Sequence, residues 1–339
     1  MILLSIIVVA WNDEKFIGQA LASCIDHSFK DYEVIVVNNG STDGTGELIR
    51  RAALGREGIF RIIENKENEG PGEGRNIGIA HARGDYLMFL DGDDWFEPGA
   101  IAEVAAHLQE RSPDVLMFNH QRVWDNGLKI PNLPNRYTNL GHEDRDLSSH
   151  GERQGGIRNI HTLWNKAYRR RFIESIGISL PKLCHYEDMV WSFNAMIRAE
   201  SCYFISKTIL NYRQRSGSIT KSADDRHFEI FSQSRKLIAL LNQEPEYNEW
   251  YGSLAYEYNR SLIFGLINTR LRVPKSRESE YLRKAASLLD EWRSQVGIHK
   301  PDWLLSAART GNKHFYFMIN GINLRIIKLN QSIKRLLNR

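Results

Sequence analysis

The sequence predicts an α/β protein: a mostly parallel sheet with helices on both faces, followed by a helical C-terminal region. Three observations predict it. Short apolar runs alternate with segments of helical spacing from Leu3 to Asn119. The connections between them are short, which favours parallel strands joined by crossover helices. Beyond Ser222 only helical spacing remains.

Taken in order, Leu3–Val9 is apolar without alternation, the pattern of a central strand. Asp13–Ser28 carries Phe16, Ala20, Leu21 and Cys24 at helical spacing. Tyr32–Val37 is a second strand, and Thr42-Asp43 caps a helix over Gly44–Leu54. Phe60–Ile63 is a third strand, and Pro71 suits the first turn of a helix reaching Ala82. Tyr86–Leu90 is a fourth strand, Pro98–Arg111 a helix and Val115–Asn119 a fifth strand. Residues 123–158 are polar and aperiodic, and read as either a functional segment or a mobile insertion, too poor in apolar residues for a core. Regularity returns at Leu163-Trp164-Asn165-Lys166, continues in a helix near Tyr186–Arg198, and ends in two short runs, Cys202–Ile205 and Thr208–Tyr212. Helices are then expected at His227–Leu241, Tyr247–Leu271, Glu278–Gln295 and Asn320–Leu337, with breaks near Pro245, Pro274 and Pro301. This places a sheet domain at residues 1–222 and a helical region at 223–339.

Composition narrows the classes. Of 339 residues, 42% are hydrophobic and 25% charged, a globular balance. A net charge of +4 is too small for this length to point to nucleic acid. The positive excess lies after Asp302, where basic residues occur and acidic ones do not. There Ile322, Ile326, Leu329, Ile333, Leu336 and Leu337 share one helical face, flanked by Arg325, Lys328, Arg335 and Arg339. Such a basic amphipathic helix suits either a membrane surface or docking onto the chain's other helices. Cys24, Cys184 and Cys202 form no C-x-x-C pair, which argues against a disulfide framework or zinc site and for a reducing cytoplasm. Met1–Ala10 lacks a basic flank and a cleavage pattern and is too short to span a bilayer, so it reads as strand rather than leader.

Residues that carry chemistry gather where strands end. Asp91-Gly92-Asp93-Asp94 closes the fourth strand, at the sheet edge where open α/β folds bind ligands. Carboxylates this close repel unless a cation separates them. A divalent metal carrying a phosphate answers that need, and a solvated acidic turn is the plainer alternative. Trp11 offers an indole for stacking, and Asn39 an amide that reads the edge of a base; packing and an ordinary turn are their plainer alternatives. Gly70–Gly74 opens a helix whose N–H groups attract anions. Arg75 in its first turns either binds phosphate or fixes the carboxylates after the fourth strand. Glu187 and Asp188 start a helix, as capping charges or with one of them a general base. Arg213 and Arg215 clamp a departing diphosphate or lie in a solvated basic loop.

In sequence order these motifs resemble the family 2 glycosyltransferases of the GT-A fold, of the type that builds bacterial polysaccharides. The matching stretches are Ala10-Trp11-Asn12, Val37 through Asp43, Gly74-Arg75-Asn76-Ile77-Gly78, and Gly84-Asp85-Tyr86 through Asp94. They continue with Trp164-Asn165-Lys166, Tyr168-Arg169-Arg170, Glu187-Asp188 and Tyr212-Arg213 to Thr220. The resemblance spans residues 2–222. It implies inverting transfer of a sugar from a nucleotide diphosphate, a UDP-sugar being expected, to a hydroxyl of a glycan or lipid-linked glycan in surface polysaccharide assembly. It implies Mg²⁺ or Mn²⁺ on Asp93, with Asp91 holding the ribose or helping to organise the metal and Gly92 among the nucleotide-sugar contacts. Trp11 and Asn39 would meet the base, with Arg75 nearby and Ala10 among the nucleotide-sugar contacts. Asp188 would be the base that deprotonates the acceptor, and Arg213 and Arg215 would meet the diphosphate. Trp164, His185 and Glu187 would lie on the acceptor side, shaped by the 123–158 insertion. Asn39 stands where the family commonly has Asp, and Trp11 where it has Tyr. A cytoplasmic enzyme, peripheral on the inner membrane and able to form homo-oligomers, is the corresponding expectation.

Two other classes compete. A nucleotidyltransferase on a related sheet would carry a glycine-rich basic loop after the first strand, where this chain has Trp11-Asn12-Asp13-Glu14. A non-catalytic protein that keeps the fold for binding is opposed by the joint presence of Arg75, Asp91, Asp93 and Asp188.

Overall fold

All seven residues of β1 (Leu4–Ala10) are buried, as expected of an apolar strand covered on both faces. It pairs in parallel with β2 (Tyr32–Asn39) on one side and β4 (Tyr86–Asp91) on the other. β3 (Phe60–Asn65) extends the parallel set beyond β2. This is a computed structural model, and it describes residues 1–131, 143–156, 162–215, 223–268, 272–298 and 302–320. The expected Asn320–Leu337 helix and Gly217–Thr220 therefore lie outside the described residues, apart from Asn320.

The second half of the sheet is mixed. β6 (Val115–Trp124) and β10 (Cys202–Gln214) run parallel. β9 (Lys166–Arg169) is inserted antiparallel between β4 and β6. β5 (Trp95–Phe96) and β8 (Arg145–Asp146) pair antiparallel with β10, and β7 (Lys129–Pro131) with β6. The main order is β3-β2-β1-β4-β9-β6-β10-β5. The connecting helices are α1 (Ile17–Ser23), α2 (Thr45–Ala53), α3 (Gly70–His81), α4 (Ala100–Arg111), α5 (His150–Gly156), α6 (Arg170–Ile176) and α7 (Glu187–Arg198).

Several elements differ from expectation. The first helix is shorter, and Cys202–Ile205 and Thr208–Tyr212 are one strand interrupted by register shifts. The 123–158 segment is not structureless where it is described. It carries β7, β8 and α5, and buries Leu147 and Arg153. The Arg153 guanidinium donates to the carbonyls of Leu147, Ser148, Met196 and Ala199. A polar side chain thus does the packing that a hydrophobic count cannot register.

The fit of α3 on β1 explains the glycines in its sequence. A Cβ at Gly74 would lie 2.6 Å from Val9 Cγ1, and one at Gly78 2.3 Å from Ile7 Cγ2. Four helical residues rise about 6 Å and two strand residues about 6.6 Å, so the two glycines sit in register over Val9 and Ile7. The helix runs antiparallel to the strand at van der Waals distance because neither glycine has a side chain.

The chain divides into two compact units, Met1–Ser216 and Gly217–Arg339. The second is built on α8 (Glu229–Gln243), α9 (Pro245–Asn268), α10 (Glu278–Gln295) and α11 (Trp303–Arg309). The expected break near Pro245 falls at Glu244, and Pro245 itself takes the first turn of α9, where its missing N–H has no intrahelical partner to lose. Tyr251, Tyr256, Tyr281 and Trp292 fill the core between these helices. Among the described residues no helix is long and apolar enough to cross a membrane.

Replacing Gly78 with Ala forces a methyl into Ile7 and is expected to cost about 1–3 kcal/mol. Gly18→Ala in α1, where a Cβ meets nothing within 4 Å, is expected to be neutral or to stabilise by up to about 1 kcal/mol. Urea unfolding midpoints check both. Equal midpoints for the two variants would refute the close approach of α3.

Candidate active site

The parallel strands β1, β2 and β4 end side by side at Ala10, Asn39 and Asp91. Residues just past those ends form a rim, and a guanidinium organises it. Arg75 on α3 is 4% exposed. Its Nη2 donates to Asp91 Oδ1 at 2.7 Å and its Nη1 to Glu187 Oε1 at 2.5 Å. One buried cation therefore ties the end of β4 to the start of α7, 96 positions later in the chain. Burial opposes the charge on Arg75, but Asp91, Glu187 and Asp188 more than offset it and hold the guanidinium protonated.

The Asp91–Asp94 turn packs against Asp13. A Cβ at Gly92 would lie 2.6 Å from Asp13 Oδ2, so glycine is required for that approach. Burial, followed by the charge of Asp93, pushes Asp13 up to about 7. Burial and then Asp91 raise Asp93, and burial and then Asp93 raise buried Asp94 further. Asp94 Oδ1 accepts from the Arg213 amide at 2.8 Å, while its buried Oδ2 has no hydrogen-bond partner among the described residues. The cluster is short of positive charge. Arg215 supplies some, with Nε donating to Asp93 Oδ2 at 2.8 Å and Nη2 standing 3.5 Å from Asp13 Oδ1. Hard oxygen donors in a charge-deficient cluster fit a divalent cation. No group of three or more His, Cys, Asp or Glu side chains arranged to hold a metal occurs among the described residues. A cation here would rest on few protein ligands and depend on substrate phosphates, as Mg²⁺ usually does.

Across the rim, Tyr186 adopts φ 60 and ψ 30 and turns the chain so that α7 opens with Glu187-Asp188. A left-handed non-glycine residue costs of order 1–3 kcal/mol, and such strain concentrates at functional sites. Half-buried Asp188 is crowded by protein. Burial, followed by the charge of Glu187, pushes it up to about 8, although Arg75 and Lys166 act in the opposite sense.

The remaining expected residues divide. Trp11 is 42% exposed at the rim, free to present its indole. Asn39 is buried, and its amide is engaged internally. Nδ2 donates to Asn68 and Gly70 and Oδ1 accepts from Asn65, so a base contact would use the second lone pair of Oδ1. Arg213 is a clasp rather than an open cation. It lies 4.8 Å from the Phe16 ring and 4.5 Å from the Trp95 ring, and donates to Asp93 O and Gln19. Trp164 is buried, stacked on Tyr212 at 5.2 Å and met edge-on by His120 at 4.7 Å, which leaves it little surface for an acceptor. His185 packs beside Tyr186 ahead of α7. Asp94 stands in the carboxylate cluster as expected, whereas Asp13 and Lys166 belong to the site by proximity or charge without a role assigned from the sequence. Asp13 lies within a polar turn and Lys166 within a short strand, and neither position marks a role by spacing.

Comparison with known proteins gives a consistent result. Residues 5–177 match the family model described as glycosyl transferase family 2. EpsH of Bacillus subtilis, named as a glycosyltransferase, is 29% identical over 230 residues, covering 66% of this chain and 64% of EpsH. The poly(ribitol-phosphate) beta-N-acetylglucosaminyltransferase TarS of Staphylococcus aureus is 27% identical over 275 residues, covering 79% of this chain and 46% of TarS. The chain thus spans less than two thirds of the length of either relative. The crystal structure of S. aureus TarS 1-349 with UDP-GlcNAc superposes with a TM-score of 0.72 at 21% identity, covering 96% of this chain and 92% of that one. That likeness shows a shared GT-A fold.

Arg75→Met would leave Asp91 and Glu187 facing each other without their common cation. Removing one partner of a buried ion pair costs about 3–5 kcal/mol, and partial exposure of Asp91 puts this case at the lower end. Chemical denaturation of the variant checks it. A loss below about 1 kcal/mol would mean that the bridge does not hold α7 to β4.

Proposed function

The chain belongs to glycosyl transferase family 2, and on that premise we propose that it is a metal-dependent, inverting glycosyltransferase that takes a UDP-sugar as donor. Its acceptor is a hydroxyl of a glycan or lipid-linked glycan in surface polysaccharide assembly. The observation that carries this reading is the Arg75 bridge, because it brings the donor-side carboxylates and the Asp188 region to one sheet edge. The UDP-GlcNAc complex of the TarS neighbour supports a UDP-sugar donor. The basic segment after Asp302 supports peripheral contact with an acidic membrane surface, on the cytoplasmic side.

In this mechanism Trp11 stacks on the base, Asn39 reads its edge, and Asp91 holds the ribose beside Gly92. Asp93 would hold a divalent cation, which would supply charge neutralisation for the leaving diphosphate. Arg215, already at the mouth of the carboxylate cluster, turns to the same diphosphate. Asp188 accepts the proton of the acceptor hydroxyl as that oxygen bonds to the anomeric carbon. The bond from that carbon to the diphosphate oxygen breaks on the opposite face, which inverts the centre and releases UDP.

UDP with Mn²⁺ is expected to raise the melting temperature, equivalent to about 2.7 kcal/mol at a hundredfold excess over Kd, and EDTA to abolish the shift. No response to any nucleotide would argue for a non-catalytic binding protein. Asp188→Asn is expected to cut turnover by roughly 10²–10⁴-fold while UDP binding persists. Unchanged turnover would sink the assignment of the base. Because a base must be deprotonated, and Asp188 is pushed up to about 8, kcat/KM is expected to fall about tenfold per pH unit below that point. A flat profile from pH 6 to 9 would contradict it.

A further inference from the structure

Leu183 lies in the segment between α6 and α7, shortly before Asp188. It is 70% exposed, and its backbone has φ 45, in the left-handed region that residues with a side chain avoid. A lone exposed leucine needs no explanation. A leucine held exposed in a strained conformation does. Such strain persists only where the surroundings impose it, and it concentrates at ligand sites.

The surroundings here are the first turns of α3. Asn76 Nδ2 donates to Leu180 O at 2.8 Å, and Asn76 Oδ1 accepts from the Leu180 amide at 3.0 Å. Lys182 reaches Glu69 at 3.2 Å and Glu73 at 3.0 Å. The Leu183 amide donates to Glu69 O at 3.1 Å. A Cβ at Gly70 would lie 2.8 Å from the Leu183 nitrogen and 3.8 Å from its Cδ2, so glycine is what admits the segment there. These contacts fix the Leu183 backbone against α3 while its side chain stays exposed.

Gly70 also locates that side chain relative to the site. Its carbonyl accepts from Asn39 Nδ2 at 3.0 Å, so Gly70 alone stands between Leu183 and the buried Asn39 amide. From β1, Ala10 pairs with Asn38, which puts Trp11, 42% exposed, beside Asn39. Two large apolar side chains, both exposed, therefore flank one buried amide, one from the end of β1 and one from the start of α3. A nucleobase is flat, with apolar faces and a polar edge. An edge read by Asn39 Oδ1 leaves the two faces to the flanking side chains, and stacking on the indole uses one of them.

We propose that Leu183 is a substrate-contact residue for the donor, covering the face of the base opposite Trp11. This rests on the reading of a UDP-sugar donor, and the two fail in different ways. Isothermal titration calorimetry with Mn²⁺ compares UDP and UDP-GlcNAc binding by the wild type, Leu183→Gly, Leu183→Ala and Leu183→Met. Urea unfolding without ligand runs in parallel. Leu183→Gly is expected to lose about five- to twentyfold in affinity for both ligands, which share the base. Its unfolding midpoint is expected to stay level or rise, because glycine takes the left-handed backbone freely. Leu183→Ala is expected to lose affinity alike, and Leu183→Met, which keeps the apolar volume, to stay within about twofold of wild type. Unchanged affinity in the glycine and alanine variants overturns the proposal and leaves the donor reading standing. An unfolding midpoint lowered together with affinity would make the leucine a structural residue, and also overturns it. A loss confined to UDP-GlcNAc would place Leu183 against the sugar and overturn the base contact. A wild type that binds another nucleotide, with affinity lost in the same variants, would correct the donor and support the Leu183 contact. A wild type that binds no nucleotide overturns both.

Discussion

One buried guanidinium shared by two carboxylates is the contact on which the rim of this sheet depends. Arg75 reaches the end of β4 through Asp91 and the start of α7 through Glu187. Without it, nothing polar in the described structure draws the first turn of α7 toward the Asp91–Asp94 turn. Burial makes the arrangement demanding, because a desolvated charge is tolerated only when its partners are held in place. The close fit of α3 over β1 provides that. Gly74 and Gly78 let the helix settle against Val9 and Ile7, and Arg75 projects from the turn between them.

A second constraint is charge. The Asp91–Asp94 end of the rim gathers Asp13, Asp91, Asp93 and Asp94, and the described cations that meet them are Arg75, Arg213 and Arg215. Arg213 is committed to the turn it clasps, wedged between the Phe16 and Trp95 rings. Arg215 engages Asp93 and Asp13 with a side chain that is 28% exposed, and its contacts are of a kind a ligand can exchange. An edge deficient in positive charge is poised for a ligand that brings a cation with it. The Asp188 end of the rim has the opposite character, with Asp188 crowded by protein and Arg75 and Lys166 opposing the rise that burial causes.

Much of the sheet half was legible. Buried parallel strands advertise themselves as short apolar runs, and β1, β2, β3 and β4 all begin within a residue of their expected starts. The mixed half was harder. β9 is four residues long and β5 only two, below the length at which periodicity distinguishes a strand. The 123–158 stretch hid its order because Arg153, a charged residue, packs there through carbonyl contacts instead of apolar area.

The sequence by itself determined the α/β class, the strand ends that carry Trp11, Asn39 and Asp91, and the carboxylates at Asp93 and Asp188. Those follow from local periodicity and from residue chemistry, which a linear chain displays. The tertiary structure alone decided that Arg75 bridges Asp91 and Glu187, that Asn39 and Arg213 are tied up internally, and that Lys166 is buried. Each of these is a pairing between distant segments or a degree of burial. Both are set by how strands and helices pack, and neither leaves a period or a spacing in the chain to be read.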